Sequence, residues 1–411
     1  MRTLWWMSED LRLRDNALID RATRAGDQLV VVWTPSPSQD RAFLFRKAHL
    51  EASLWTFSKS LREAGANLYG SRVFCPSQSW MKNFIFKNQI EKVYRTRSWG
   101  AEELHLEYLA STWKIEWEWV DQNSLLPMES YDPERLRTDK VFTDWRRRWE
   151  KSLLVPSEPQ LLQGNFLSAG EEDLLPLDET KPQFLHPRIA SSESGAKEAL
   201  ESYFQGDLAS SYKLTRNGLI RWEDSTKLSP YLALGLLSPH SVLRLLNQYE
   251  KDRGTNESTE HLRMELMWRE YFRRIMALKG VALFAAAPRY PLAEDVLALD
   301  LLCRWKAGET GVDFLDAHMT ELRLTGWMSN RGRQNVASYL TKSLGVDWRW
   351  GAKYFEEVLI DYDVHSNWGN WAYLAGVGQD PRDRVFNPVA QAARYDPEGI
   401  YTSYWLRKRR E

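Results

Sequence analysis

One segment of the chain combines hydroxyl groups, a positive charge and a helix start, which together suit an anionic ligand. Ser225, Thr226 and Lys227 come just before Ser229 and Pro230, and an apolar run follows. Serine is a common N-cap and proline a common first helical residue, so the spacing predicts a helix that begins here with free backbone N–H groups. Such an end binds anions and would suit a pyrophosphate. An ordinary capped helix explains the same residues.

A second segment mixes charge with large rings. Spacings of three and four residues put Glu265, Trp268, Arg269 and Phe272 on one face of a predicted helix. In one interpretation Glu265 and Arg269 form an exposed ion pair above packed aromatic rings. In the other, Arg269 binds a phosphate, Trp268 offers a flat wall, and Glu265 forms hydrogen bonds to a base.

A third segment brings amides, carboxylates and tryptophan close together in the sequence. Asp361, Asp363, Asn367 and Trp371 follow the motif Thr-Gly-Trp-Met-Ser-Asn-Arg-Gly-Arg-Gln-Asn, which begins at Thr325. Two carboxylates two residues apart often form a capped turn, and no histidine or carboxylate pair has convincing ligand spacing, so we predict no metal. No Ser, His and Asp set indicates a nucleophile. An apolar helical pocket with one phosphate-binding end and many rings favours a redox cofactor.

Composition limits the class of protein that could carry this chemistry. The chain has 411 residues, 43% of them hydrophobic, which is enough for a sizeable core and two domains. Its net charge of −1 means that a nucleic-acid partner would need a local basic patch. Cys75 and Cys303 are the only cysteines, so a disulfide framework and a four-cysteine metal or iron–sulfur site are excluded. Charged residues stand near the amino terminus, and the sequence has no long apolar run. These two features predict a soluble, cytoplasmic protein without a membrane segment.

The elements that would position these residues fall into two groups. Strands are predicted at 3–6, 29–33, 92–96 and 115–120, and helices at 43–63, 77–88 and 101–111. This alternation predicts a parallel sheet wrapped by helices, although no Gly-rich loop follows the first strand. The predicted fold class is therefore α/β + all-α. It comprises a Rossmann-like sheet domain at 1–122, a surface linker at 123–190 with one basic helix near 142–150, and an all-helical domain at 191–411.

Five motifs, in this order, resemble those of photolyases and cryptochromes. They are Tyr-x-x-x-Arg-Asn-Gly from Tyr212, Ser-Thr-Lys-Leu-Ser-Pro-Tyr-Leu from Ser225, Met-Trp-Arg-Glu-Tyr-Phe from Met267, the motif from Thr325, and Asp-Tyr-Asp-Val-x-Ser-Asn-x-Gly-Asn-Trp from Asp361. Three finer features look like the cryptochrome DASH branch, namely Lys-Val-Phe-Thr-Asp-Trp-Arg from Lys140, the segment from Tyr212 to Gly218, and the glutamine at position 334. The resemblance is strong over 142–405 and implies a flavin-dependent, blue-light-driven protein.

The resemblance implies FAD as the cofactor, held by the helical domain. Asn367 would face flavin N5 and favour fully reduced flavin, and Arg333 would pair with Asp361 beside the ring. The sheet domain would carry an antenna such as methenyltetrahydrofolate. The cofactor-binding residues implied are Tyr212, Ser225, Thr226, Lys227, Leu228, Ser229, Arg269, Arg333, Asp361, Asp363 and Asn367.

The implied activity is that of a deoxyribodipyrimidine photo-lyase, a carbon–carbon lyase. Reduced flavin would pass an electron to a cyclobutane pyrimidine dimer in single-stranded or damaged DNA, and the protein would act as a monomer. Extruding a base costs less in single strands, which is consistent with a DASH preference for them. The catalytic residues implied are Asn367, Trp371, Trp348, Glu265 and Trp268. The DNA-binding residues implied are Glu265, Trp268, Asn330, Arg331, Tyr373 and Arg384.

The sequence departs from the family pattern in two places. The outer tryptophan of the family's electron relay is expected near position 295, where Asp295 stands, so we expect the relay to stop early or to divert to Trp305, Trp350 or Tyr290. Near the amino terminus, the usual Trp-Phe-Arg before Asp-Leu-Arg appears as Trp-Met-Ser.

Two other functions compete with repair. One is a blue-light photoreceptor cryptochrome that signals without repairing DNA. The sequence ends soon after residue 405, without the long tail of many signalling members, which favours repair. The other is a single-stranded nucleic-acid binding module that stacks bases on rings and holds no flavin. The two cysteines exclude the iron–sulfur members of the family.

Overall fold

The amino-terminal part is a five-stranded parallel sheet in the computed structural model, which describes residues 1–72, 77–126, 134, 141–154, 165–178, 182–379 and 385–411. The strands are β1 (Arg2–Trp6), β2 (Gln28–Trp33), β3 (Leu68–Gly70), β4 (Lys92–Thr96) and β5 (Glu116–Val120). They pair in the order β3-β2-β1-β4-β5. The four predicted strands are confirmed, and β3 is an additional one.

Helices cover the sheet on both faces, as a parallel sheet requires. Leu4 and Trp6 of β1 point into one core, whereas Trp5 points into another that also contains residues of the helical domain. The helices of this part are α1 (Ala17–Arg24), α2 (Pro37–Asp40), α3 (Leu44–Glu63), α4 (Ser77–Lys87) and α5 (Ala101–Ser111). The three predicted helices correspond to α3, α4 and α5.

The rest of the described chain is almost entirely helical, which confirms the predicted combination of an α/β and an all-α part. A π-helical turn spans Tyr339–Ser343. The helices are α6 (Phe142–Trp149), α7 (Glu193–Gln205), α8 (Leu208–Thr215), α9 (Ser229–Leu234), α10 (Pro239–Arg253), α11 (Glu257–Lys279), α12 (Val281–Phe284), α13 (Asp295–Ala307), α14 (Asp313–Thr325), α15 (Asn330–Ser338), α16 (Trp348–Val358), α17 (Val364–Leu374), α18 (Pro388–Tyr395) and α19 (Ile400–Lys408).

Helix α11 is anchored by charges that are wholly removed from water. Glu270, Arg273 and Arg274 each have 0% exposed surface. Ser124 Oγ donates to Glu270 Oε2 at 2.7 Å, and Arg273 Nη2 donates to Asp121 Oδ1 at 3.0 Å. Both partners follow β5, so one face of α11 is fixed to the carboxyl end of the sheet.

The predicted surface linker therefore begins as a buried segment. Asn123, Ser124, Leu125 and Leu126 are 0–3% exposed, because they lie between the sheet and α11. The predicted basic helix near 142–150 is confirmed as α6, whose Trp145 is fully buried. No helix in the described ranges combines the length and the apolar composition needed to cross a bilayer.

The Asp-Leu-Arg segment after β1 forms a second contact between the two parts. Asp10 accepts hydrogen bonds from Trp5 Nε1 and Thr96 Oγ1 at 3.0 and 2.6 Å, which ties together the ends of β1 and β4. Fully buried Arg12 donates to the Gly235 carbonyl at 3.0 Å. Gly235 has a φ of 72°, and a Cβ there would lie 2.1 Å from the carbonyl oxygen of Glu9.

We expect Gly235→Ala to destabilise the protein strongly. A left-handed backbone costs a non-glycine residue about 1–2 kcal/mol, and the clash with Glu9 adds about 1–3 kcal/mol of overpacking. Gly254 has a φ of 85° with nothing near its Cβ position, so Gly254→Ala carries only the backbone cost. Urea unfolding of the two variants measures the difference, and equal losses would contradict the close contact at Gly235.

Candidate functional site

A cavity of about 440 Å³ lies within the helical part, between α8, α9, α11, α15 and α17. Its volume is in the range of about 300–1,000 Å³ that is usual for ligand pockets. A smaller cavity of about 240 Å³ adjoins it and shares residues such as Thr226, Arg269 and Asp363. Together they form one extended space with a polar end and aromatic walls.

Most of the predicted site residues line this cavity. They are Tyr212, Ser225, Thr226, Lys227, Leu228, Ser229, Glu265, Trp268, Arg269, Asn330, Arg333, Asp361, Asp363, Asn367, Trp371 and Tyr373. Two do not line it. Trp348 is buried in the core at 1% exposure, and Arg331 donates outward to Asn217 Oδ1 at 2.9 Å. Arg384 lies outside the described residues.

The segment before α9 differs in detail from the predicted helix cap. The helix starts at Ser229 itself, Leu228 takes the cap position, and no side chain forms a cap hydrogen bond. The prediction of Ser229 as the N-cap is therefore wrong, because Lys227 adopts a left-handed φ of 52° that turns the chain one residue earlier. The Lys227 ammonium donates to Ser225 Oγ at 2.8 Å, so hydroxyls and a cation still meet at this end.

The ion pair that one of the two interpretations placed between Glu265 and Arg269 does not form, and each residue has another partner. Arg216 Nη1 donates to Glu265 Oε1 at 2.6 Å. Arg269 Nη1 donates to the Asn123 carbonyl at 2.6 Å. Hydrogen bonds from outside α11 thus replace the i,i+4 pair and fix both side chains along the cavity wall.

Trp268 forms an aromatic wall with rings from other elements. Its ring stacks on Phe142 of α6 with centroids 3.5 Å apart and planes at 9°. Tyr373 meets it edge-on at 5.8 Å. Sequence reasoning assigned no role to Phe142 or Arg216, although both occur in the motifs quoted above.

The carboxylates after α16 are held by an arginine and by a helix cap. Arg333 Nη2 donates to both oxygens of Asp361 at 2.9 and 2.8 Å, so the expected pair is present. Asp363 Oδ1 accepts the Ser366 N–H at 2.7 Å and thereby caps α17. The capped-turn interpretation of Asp363 is thus compatible with its position on the cavity wall.

A buried histidine forms a hydrogen bond with Asp363. His365 Nε2 accepts the Trp99 N–H at 3.1 Å, which leaves Nδ1 to donate to Asp363 Oδ2 at 3.2 Å. Burial alone would raise the pKa of Asp363, but His365 and the nearby Arg269 hold that pKa well below its usual value. Asp363 is therefore an anion at neutral pH. Burial lowers the pKa of His365 and keeps it neutral.

Glu9 joins this cluster from the sheet edge. One ligand atom each from Glu9, Asp363 and His365 lie within 4.8 Å of one another. Burial and the Asp363 carboxylate raise the pKa of Glu9 to about 8, so it is mostly protonated at neutral pH. Both ring nitrogens of His365 have partners, and Arg273 lies beside it at 3.4 Å. We therefore assign no metal to this cluster.

Asn367 and Trp371 share one side of α17. The Asn367 amide nitrogen donates to the Ala352 carbonyl at 2.9 Å, which fixes its rotamer and leaves its oxygen as an acceptor. Trp371 is 2% exposed and meets the Trp305 ring edge-on at 6.2 Å. Trp305 in turn meets Tyr354 at 5.8 Å. The rings thus form a continuous path from the cavity.

The arrangement suits a bound cofactor better than covalent catalysis. The polar end offers hydroxyls, Lys227 and Arg269, Asn367 and the Arg333–Asp361 pair also line the cavity, and aromatic rings form its walls. These are the donors and surfaces that a dinucleotide with a flat ring requires.

Family models match most of the chain. The model for the FAD binding domain of DNA photolyase matches residues 262–411, and the model for DNA photolyase matches residues 3–162.

Known relatives match over nearly the full length. A cryptochrome DASH from Synechocystis sp. is 36% identical over 98% of this chain and 87% of its own. A cryptochrome DASH from Arabidopsis thaliana, described as chloroplastic/mitochondrial, is 32% identical over 99% and 76%. The crystal structure of a Synechocystis sp. cryptochrome superposes with a TM-score of 0.86 at 35% identity, covering 98% of this chain and 88% of that one. With its sheet, its helical cavity and these relatives, the chain belongs to the photolyase and cryptochrome family, in the cryptochrome DASH branch.

Proposed function

We propose that the chain binds FAD in the helical cavity and uses blue light to repair cyclobutane pyrimidine dimers, with a preference for single-stranded DNA. The observation that carries the proposal is the cavity of about 440 Å³ in which the phosphate-type end, the Arg333–Asp361 pair and Asn367 come together. The donors present fit the cofactor that the matched family domain is described as binding.

The polar end would hold the phosphates and the ribityl chain. Lys227 and Arg269 supply positive charge, and the Asn123 carbonyl keeps Arg269 in place. The other residues proposed for this end are Tyr212, Ser225, Thr226, Leu228 and Ser229. Paired charge and hydroxyls beside a diphosphate form charge-assisted hydrogen bonds, which are stronger than neutral ones.

The opposite side would hold the ring. Asp361 and Asp363 would accept hydrogen bonds from it, and Arg333 would offset the negative charge of Asp361. Asn367 stays neutral at every pH, so it can hydrogen-bond a ring edge without opposing extra electron density. The flavin, when bound, supplies the light-driven electron transfer to the dimer, while these side chains orient it.

The mouth of the cavity would receive the flipped dimer. Trp268, supported by its stack on Phe142, offers a rigid flat face, and Glu265 and Tyr373 offer polar edges. Asn330 and Arg331 would contact the DNA, and Arg384 stays a prediction for the same role. Stacking on an aromatic face contributes roughly 1–3 kcal/mol per base.

The electrons that reduce the cofactor would enter the cavity through Trp371. Trp348, the expected next member of the relay, is in ring contact with Trp368 at 5.7 Å. Asp295, at the expected outer position, carries no ring. We propose that half-buried Tyr354 donates an electron through Trp305 to Trp371, along a path beside the one through Trp348.

A folate antenna stays a proposal for the sheet domain. The crevice beyond β1 and β4, lined by Ser8, Arg95 and Ser98, measures about 40 Å³, which is room for a few waters. An antenna would therefore bind outside that crevice. The absorption spectrum of the purified protein, before and after removal of FAD, tests for it.

We also propose a monomer in the cytoplasm. The Arabidopsis relative is described as chloroplastic/mitochondrial, so an organellar location is the alternative. The rival function is a signalling photoreceptor. Such a protein would bind FAD and change its absorption on illumination, but it would leave dimers intact in both single- and double-stranded DNA.

We expect Asn367→Asp to keep FAD and lose repair by at least about tenfold. A carboxylate would place negative charge against a ring that has to hold extra electrons, and charges at contact distance interact by about 4 kcal/mol at an intermediate dielectric constant. The flavin spectrum and dimer-splitting rates measure the two effects. Asn387→Asp makes the same change at the N-cap of α18, where a carboxylate is well tolerated. Unchanged repair in Asn367→Asp would overturn this role.

Removal of the flat wall should separate DNA binding from cofactor binding. In Trp268→Ala we expect dimer-containing single strands to bind roughly 5- to 150-fold more weakly, because a stacking face is lost. The FAD content should stay the same. Phe86→Ala removes an exposed ring at 87% exposure on α4 and serves as the control. Normal DNA affinity in Trp268→Ala would count against docking at this mouth.

The proposed electron path from Tyr354 to Trp371 can be observed directly. Transient absorption of the illuminated protein should show less tyrosyl radical in Tyr354→Phe, because phenylalanine is much harder to oxidise, whereas Tyr404→Phe should match the unmodified chain. The same measurement on Trp348→Phe tests the other electron path, which runs through Trp348. Equal radical yields in Tyr354→Phe and the unmodified chain would exclude Tyr354 as the terminal donor.

A further inference from the structure

A buried lysine beside the cavity has no ionic partner. Lys227 is 9% exposed, its ammonium donates to Ser225 Oγ, and among the described residues it forms no salt bridge. Its backbone is left-handed, with φ at 52°. Strained backbone and buried unpaired charge are both costly and concentrate at functional sites. An anion is the group that would compensate for them.

Two indole rings lie beside the ammonium and meet at an angle next to it. Lys227 Nζ lies 4.3 Å from the ring centroid of Trp327 and 5.4 Å from that of Trp222. The two rings are 6.0 Å apart and inclined by 51°. On its other side Trp222 stacks on His186 at 5.1 Å. A cation in contact with two aromatic rings is stabilised by their quadrupoles, most strongly where water is excluded.

The loop before Lys227 is built to bring Trp222 to this position. Trp222 begins a 3₁₀ turn that ends at Asp224. Thr215 Oγ1 donates to the Asp224 carbonyl at 3.0 Å, and a Cβ at Gly218 would lie 2.0 Å from Asp224 Oδ2. Gly218 therefore allows the loop to fold back against α8, which turns the ring of Trp222 toward Lys227.

We propose that Trp222 and Trp327 form a cation cage that keeps the Lys227 ammonium charged and directed at the diphosphate of the bound dinucleotide. Trp222 is then a positioning residue that acts through Lys227 and selects flavins that carry phosphate. This inference rests on the proposed function, because it assumes that the cavity binds FAD. Packing of Trp222 alone would not distinguish phosphorylated from unphosphorylated flavins.

The cage also links cofactor affinity to pH. Burial lowers the pKa of Lys227 to about 8, and a diphosphate would raise that pKa again. Affinity for FAD is therefore constant below pH 8 and falls above it as the free protein loses the proton. The other groups that act on Lys227 are Glu223 and Asp224 on its own loop, Glu321 of α14, Arg333 of α15, and His186.

The experiment titrates full-length apoprotein with FAD and with riboflavin, which lacks phosphate, and follows flavin fluorescence. Trp222→Leu should weaken FAD binding roughly 3- to 30-fold by loss of the cation–π contact. In this variant the affinity for FAD should also begin to fall at a lower pH, and riboflavin binding should stay unchanged. Lys227→Met should weaken FAD binding roughly 10- to 150-fold. In the double variant that carries Lys227→Met and Trp222→Leu, the second substitution should weaken FAD binding no further. Lys227→Arg should bind FAD with an affinity that does not depend on pH.

Two controls separate the cage from general packing. Trp113→Leu removes a similar contact, with Lys82 at 5.3 Å in the sheet part, and should leave both affinities unchanged. Trp222→Phe keeps an aromatic face and should recover much of the lost affinity. Equal weakening of FAD and riboflavin in Trp222→Leu, or no weakening of either, would overturn the cage. Failure of the unmodified chain to bind FAD would instead overturn the proposed function.

Discussion

The position of the cavity depends on the burial of three charges in α11. Each ion withdrawn from water costs several kcal/mol, and the loss is offset only where partners are closely matched. Glu270 and Arg273 find such partners in one orientation of the helix, in Ser124 and Asp121 at the end of β5, and Arg274 pairs with Glu270 along the helix. The other side of α11 then faces the cavity. An alternative rotation would leave bare charges in an apolar core, so the network fixes the direction of the aromatic and polar wall.

The sheet thus shapes the site through its carboxyl edge. The residues after β1, β4 and β5 tie to one another through Asp10 and to the helical part through Arg12 and the 121–124 segment. The same segment supplies the carbonyl that holds Arg269. Two contacts far apart in sequence therefore determine the geometry of a pocket that lies mostly in the second half of the chain.

Local patterns predicted much of this fold and of the candidate site. Alternating apolar runs identified four strands, but β3 has three residues, too few for a periodic signal. Helical spacing placed Glu265, Trp268 and Arg269 on one face, whereas the resemblance to photolyases and cryptochromes supplied most of the other cavity-lining residues that were predicted. Distant partners decided one question that local spacing left open, and a backbone turn overturned one prediction. Glu265 and Arg269 have the spacing of an ion pair, yet Arg216 and the Asn123 carbonyl take their places. Ser229 has the chemistry of a cap, but the left-handed turn at Lys227 shifts the helix start.

The buried network of α11 has a consequence for how such proteins can diversify. If the helical half were separated from its sheet, water would have to hydrate Glu270, Arg273 and Arg274. The orientation of the cavity wall that carries Trp268 would then no longer be fixed. The two halves are therefore not exchangeable modules, even though a connector joins them. A chimera of distant relatives would have to transfer the end of β5 together with α11, because the buried charges of α11 find their partners there.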